Sequence, residues 1–199
     1  PEYYNWLNGI NNVEVASENF SKVEECFKKS DLVFCLDFNH RSRVGPLLSP
    51  LLCEIDDSKT IVVIDHHTYP ENFGDHRLID SEASSTSELV YRLIENNNDL
   101  DLIDKKIAEP IYLGIISDTG SFKYSSVSSS THKIASHLIS IGLDHTRIHS
   151  KIYDQNEISK INLLGYALQK IKVDPSLKLA YLSLSQNELE KFNFKKGDT

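Results

Sequence analysis

Thr60-Ile61-Val62-Val63-Ile64-Asp65-His66-His67 is a run of four β-branched apolar residues that ends in one carboxylate and two imidazoles. A continuous apolar run of this kind is expected of a strand buried on both faces, as in a parallel sheet, because a half-exposed strand would alternate with polar residues. Upstream, Asp31-Leu32-Val33-Phe34-Cys35-Leu36-Asp37 repeats the pattern, and the same burial on both faces is expected there. Amphipathic stretches at residues 18–29, 85–96 and 104–117 surround the two runs. Strands alternating with helices give an α/β class, with a mostly parallel sheet flanked by helices.

Helix ends are marked by side-chain chemistry. Ser85-Thr86-Ser87-Glu88 has the spacing of a capping box, and Asn96-Asn97-Asn98 stops the helix that it starts. Pro110 predicts a kink or a helix start at its position. Ser128-Ser129-Ser130-Thr131 caps a further helix with Ile134, Leu138 and Ile141 on one side and Gly142 as its stop. Helical periodicity returns at 157–170, a strand is expected at 177–184, and a short helix at 186–192. A boundary is expected near residues 151–156. It separates a main domain at 1–152 from a connecting helix and the start of a smaller α/β domain at 153–199.

At 199 residues, 40% hydrophobic and 25% charged, the chain can bury a sizeable core. Its net charge of -8 argues against salt-driven binding to long duplex DNA, which needs a basic face, and leaves short nucleotides in a pocket open. Cys26, Cys35 and Cys53 form no CxxC pair and read as reduced thiols, in keeping with a cytoplasmic setting. No apolar run reaches the ~18 residues of a membrane helix. The chain opens on Pro1 and contains no Met, and on this ground it is expected to be a fragment.

In open parallel sheets, ligands bind at the carboxyl ends of the strands, where loops and helix N-termini converge. Asp37, Asp65, His66 and His67 occupy that edge, and carboxylates with imidazoles suit Mn²⁺, Fe²⁺, Co²⁺ or Zn²⁺. An adjacent His pair arises about 0.3 times by chance in a chain with this His content, so position rather than pairing gives it weight. Taken singly, Asp37 is equally a loop cap, Asp65 a cap beside two solvated histidines, and Asp118 a cap for the Gly120 turn. Arg41 and Arg43, in the loop after Asp37, are either phosphate contacts or solvated side chains. The helix start at Ser84-Ser85-Thr86 either offers N–H groups to an anion or is ordinarily capped. Tyr3, Tyr4 and Trp6 are read as anchors of the N-terminal segment.

Together, these residues carry a resemblance. Asp37 followed by Arg41, Arg43 and Gly45, then Val62 to His67, then Ala83-Ser84-Ser85-Thr86-Ser87-Glu88, then Leu113-Gly114-Ile115-Ile116-Ser117-Asp118-Thr119-Gly120, closely resembles the DHH phosphoesterases, in particular the nanoRNase and pAp-phosphatase branch of the DHH/DHHA1 group. The resemblance implies a DHH domain followed by the beginning of a DHHA1 domain. It also implies two divalent metal ions, Mn²⁺ foremost and Mg²⁺ or Co²⁺ as alternatives. By the same resemblance Asp37 bridges two metals, His66 and Asp118 bind one of them, His67 faces the scissile phosphate, and Asp65 orients the histidines.

The implied activity is hydrolysis of short oligoribonucleotides and of pAp. Alternatives are hydrolysis of linear or cyclic dinucleotides, and a non-catalytic nucleotide-binding module that has lost its metals. A homodimer stays open. The family's first motif, a His followed by an Asp-x-Asp group, and the glycine-rich substrate motif of DHHA1 do not occur in the chain, so residues 1–199 alone are expected to be inactive.

Overall fold

The computed structural model describes residues 4–54, 58–154 and 157–194. Tyr3, residues 155–156 of the expected boundary and Lys195 to Thr199 lie outside the described residues. The chain divides into two compact units, Pro1–Ile148 and His149–Thr199, four residues before the 152/153 boundary read from the sequence.

In the first unit, helix α1 (Phe20–Lys29) leads into β1 (Leu32–Leu36), α2 (Gly45–Cys53), β2 (Thr60–Asp65) and β3 (His76–Ile79). There follow α3 (Thr86–Asn96), α4 (Lys105–Asp118), α5 (Ser129–Ser140) and α6 (His145–His149). The strands form a parallel sheet in the order β1-β2-β3, with Leu36 opposite Ile64 and Asp65 opposite Ile79. That register brings the carboxyl ends of β1 and β2 side by side.

The continuous apolar run of β2 has the predicted cause. Ile61 and Val63 join Cys35 and Leu52 in one cluster, with Phe27 of α1 and Val33 packed against it. Ile64 joins Ala83 and Leu89 in the other, with Val62 and Leu93. Alternate residues thus enter opposite layers, α1 and α2 on one side and α3 on the other, and each fully buried large side chain contributes about 1.5–3 kcal/mol.

β1 departs from the expectation. Only Cys35 is buried, while Leu32, Phe34 and Leu36 are 46–50% exposed, because β1 is an edge strand and the face these three share is only half covered by the described residues. Burial pushes the Cys35 thiol up to about 11, so it behaves as a core hydrophobe.

The elements that escaped the sequence reading are short or locally atypical: β3 is short and polar at its start, α2 carries Pro46 in its first turn and Pro50 inside, α6 is five residues long, and a strand at Lys172–Asp174 spans three. α4 runs unbroken through Pro110, which neither starts nor ends it, and its N-cap is Asp104, whose carboxylate accepts from Lys106 N–H at 2.8 Å and Ile107 N–H at 3.0 Å. Ser128 and Thr131 form the expected capping box of α5, and Gly142 adopts φ +92° behind it. Trp6 lies under the Arg147 guanidinium at 5.2 Å, and Arg147 also pairs with Glu109, so the N-terminal segment is anchored as its aromatics implied.

The second unit holds α7 (Ile158–Gln169), an antiparallel pair β4 (Lys172–Asp174) and β5 (Leu179–Tyr181), and α8 (Gln186–Lys191). The strand expected at 177–184 is three residues long, since Ser176 and Leu177 N–H groups are taken by Asp174 in the turn before it. No helix among the described residues is long and apolar enough to cross a membrane.

Candidate active site

β1 ends at Leu36, and Asp37 leaves the strand with φ +67°, a left-handed conformation that Asp tolerates better than most residues at a cost of about 1–3 kcal/mol. Two bonds hold it there: Asp37 N–H donates to Ile64 carbonyl at 3.1 Å, and the Thr86 hydroxyl at the start of α3 donates to Asp37 Oδ1 at 2.8 Å. Across the register, His66 and His67 leave the end of β2. Asp118 is the last residue of α4.

His66 Nε2 stands 3.7 Å from Asp37 Oδ1 and 3.6 Å from Asp118 Oδ2. Its Nδ1 faces the Ala83 carbonyl at 3.3 Å; a carbonyl can only accept, so Nδ1 carries the proton and Nε2 presents a lone pair to the two carboxylates. His67 Nδ1 donates to Asp65 Oδ1 at 2.7 Å, which leaves its Nε2 outward by the same logic. Burial, then the charge of Asp37, pushes the Asp118 carboxyl above its ordinary range, and His66 and His67 partly counter this. With 39% of its side chain open to solvent, Asp118 feels these charges through water as well as protein.

The donors fit a divalent ion on three observations. Ligand atoms of Asp37, His66 and His67 all lie within 4.8 Å of one another. The 3.6 and 3.7 Å separations at His66 are within the span of two bonds of about 2.1 Å to one ion. Asp65, fully buried, leaves Oδ2 without a hydrogen-bond partner among the described residues, an atom that a charged neighbour would satisfy. Asp118 adds a further carboxylate on the other side of His66 Nε2, at 3.6 Å. Carboxylate and imidazole donors without a thiolate suit a divalent ion.

Arg41 and Arg43 are placed differently from this cluster. The Arg41 guanidinium grips Glu71 through Nε at 3.0 Å and Nη2 at 2.6 Å, its backbone N–H donates to Glu71 Oε2 at 2.9 Å, and it lies over the Phe73 ring at 5.6 Å. Glu71 N–H also donates to Asn39 carbonyl at 2.7 Å, and Asn39 Nδ2 to Thr68 carbonyl at 2.8 Å. Arg41 therefore clasps the loop after Asp37 to the loop after His67. Arg43 is exposed, and its guanidinium makes no hydrogen bond among the described residues. Sequence reading did not single out Glu71 or the Ala83 carbonyl. Neither residue type is diagnostic, and only the meeting of the two loops gives them a role. Thr86 was legible as a helix start but not as a partner of Asp37.

A parallel α/β sheet whose carboxyl edge gathers Asp37, His66, His67 and Asp118 defines the class, and residues 3–115 match the N-terminal domain of the DHH family. The chain belongs to the DHH family. It is 30% identical over 144 residues to the bifunctional oligoribonuclease and PAP phosphatase NrnA of Bacillus subtilis, covering 69% of this chain and 45% of that protein. It is 34% identical over 146 residues to the cyclic-di-AMP phosphodiesterase PdeA of Listeria monocytogenes, covering 72% of this chain and 20% of that protein. A crystal structure of an exopolyphosphatase-related protein from Bacteroides fragilis superimposes with a TM-score of 0.94 at 34% identity, over 100% of this chain and 57% of that one. The chain spans about half the length of the NrnA relative it matches.

Proposed function

We propose that this chain supplies one side of the active site of a divalent-metal phosphoesterase that hydrolyses short oligoribonucleotides and pAp. The observation that carries the reading is the convergence of Asp37 and Asp118 on His66 Nε2, at 3.7 and 3.6 Å, at the carboxyl edge of the sheet. Similarity to NrnA supports the substrate class.

When bound, a pair of divalent ions would supply an activated water and neutralise charge on the phosphate. Asp37, His66 and Asp118 would hold them, and in this reading Asp37 would be shared between the two. Protonated on both nitrogens, His67 would donate a hydrogen bond or a proton to a phosphate oxygen from its outward Nε2, with Asp65 accepting from Nδ1 and stabilising the imidazolium. Arg41, locked to Glu71, acts in this reading by holding the Asp37 loop, and Arg43 is the arginine available for a phosphate. Residues 1–152 form the DHH domain and 153–199 open a DHHA1 domain, and the enzyme works in the cytoplasm.

Similarity to PdeA favours a second reading, hydrolysis of cyclic or linear dinucleotides by the same residues. Full-length protein assayed with Mn²⁺ against pAp, RNA dimers to pentamers, pGpG, cyclic-di-AMP and pyrophosphate separates the readings by relative kcat/KM. Turnover of pAp and short RNA is expected to lead and to vanish in Asp37→Ala. An active Asp37→Ala protein would refute the bridging role, and preferred turnover of cyclic dinucleotides would favour the second reading.

A further inference from the structure

Glu88 lies outside the Asp–His cluster and is fully buried. Its spacing from Ser85 predicts a reciprocal capping box, with the carboxylate returning to the N–H of the cap residue. Only half of that box forms. Ser85 Oγ accepts from Glu88 N–H at 3.1 Å, but the carboxylate goes elsewhere: Oε2 accepts from Ser84 N–H at 3.3 Å, from the Ser84 hydroxyl, and from the Thr131 hydroxyl of α5 at 2.9 Å. Oε1 is paired with Arg92.

Burying a carboxylate costs several kcal/mol unless it is paired and hydrogen-bonded, and an apolar side chain would fill the same space without that cost. What the carboxylate does that leucine could not is grip the turn before α3. That turn carries the Ala83 carbonyl, which takes the Nδ1 proton of His66, and Thr86, which bonds Asp37. A second path runs the same way. Arg92 also bonds Asp80 at 2.9 Å, and Asp80 N–H donates to the Asp65 carbonyl at 3.2 Å.

We propose that Glu88 is a positioning residue, whose carboxylate locks the turn from Ala83 to Thr86 and thereby fixes both the tautomer of His66 and the place of Asp37. Ser84 contributes as the residue through which the lock reaches the turn. The departure from the capping rule thus falls where a local preference has been given up for a site. Only the metal readout below rests on the phosphoesterase reading; the tautomer readout stands without it.

The test uses full-length protein with ¹⁵N-labelled histidine, metal-free at a pH where His66 is neutral, its signals assigned with His66→Gln. Wild type is expected to show the proton on Nδ1 of His66. Glu88→Gln should give a mixture of tautomers and a Mn²⁺ affinity, by calorimetry, about 10- to 100-fold weaker. Thr131→Val removes the donor from α5 and half of the α5 capping box while leaving the bonds of Glu88 to Ser84, and should lower Tm while leaving tautomer and affinity as in wild type, which separates positioning from general stability. If Glu88→Gln does not fold, Ser84→Ala carries the same expectation for the tautomer. A wild-type tautomer in the folded Glu88→Gln protein, or in Ser84→Ala, overturns the proposal, as does a Thr131→Val protein that behaves like Glu88→Gln. A tautomer that shifts as expected in a protein that binds no Mn²⁺ would support the positioning role and sink the metal reading instead.

Discussion

Gly114 sits in α4 one turn before Asp118, where α4 crosses α3. A Cβ at this position would stand 1.9 Å from Ser87 Oγ and 2.7 Å from Ser87 Cβ. The Oγ can rotate away, but the Cβ is fixed to the α3 backbone, so Gly114→Ala requires the helices to separate by about 0.7 Å to restore ordinary contact. Overpacking of this kind costs about 1–3 kcal/mol, toward about 2–3 kcal/mol where the opposing atom is fixed to the backbone, and alanine returns about 1 kcal/mol of helix propensity, which leaves a net loss of about 1–2 kcal/mol. For a unit of this size that is a fall in Tm of roughly 3–6 °C. Because Asp118 ends α4 and Thr86, which bonds Asp37, starts α3, the same separation pulls the two carboxylates apart, and Mn²⁺ affinity of the full-length protein should fall with stability. Thermal melts and calorimetry on Gly114→Ala, Ser87→Gly and the double variant give the assay. The double variant moves the methylene from α3 to α4, and is expected to recover Mn²⁺ affinity and most of the stability lost in Gly114→Ala beyond what Ser87→Gly costs alone. If Gly114→Ala is as stable as wild type, or if Ser87→Gly leaves its defect untouched, the crossing does not set the site.

Three further outcomes follow from the electrostatics. Arg41 holds the Glu71 carboxyl below the usual range, chiefly through its side-chain hydrogen bonds, so this contribution is present above an unfolded pKa of about 4.3 and is lost as pH falls through the lower native value. The stability gap between wild type and Glu71→Gln, measured by urea midpoints, should therefore close on acidification from pH 7 to pH 3; an unchanged gap would show that the clasp is not ionic. The Asp118 carboxyl is raised, so in metal-free protein the native state holds its proton longer than the unfolded chain, and stability falls as pH rises through the interval between the two pKa values. Asp118→Asn in chelator should thus gain on wild type between pH 4 and pH 7 in thermal melts, and a constant difference would contradict a carboxyl raised by burial and by Asp37. Asp65→Asn removes the carboxylate charge that stabilises protonated His67, so the ring loses its driving force as a proton donor, and a loss in kcat of about 100-fold or more is expected with Mn²⁺ affinity largely kept. Full kcat in this variant would remove His67 as the proton donor.

Asp65, His66 and His67 could be placed at a strand end from the sequence because the run from Ile61 to Ile64 is readable by periodicity alone: a strand buried on both faces must be apolar at every position. The caps at Ser85 and Ser128 were legible for a similarly local reason, since each satisfies an N–H group within three residues of itself. β1 misled the same logic. Leu32, Phe34 and Leu36 are as apolar as the residues of β2, yet periodicity carries no information about which strand lies at an edge.

By itself, the sequence determined the α/β class, the strand that delivers the two histidines, and the residue types that can hold an ion. Only the tertiary structure decided that Asp37, His66 and Asp118 converge, that Arg41 faces Glu71 rather than the cluster, and that Glu88 abandons its own cap for Ser84 and Thr131. The physical reason is distance along the chain. Capping and alternation are settled within one turn or one pleat, whereas a carboxylate meeting a donor 30 or 43 residues away depends on how the layers pack.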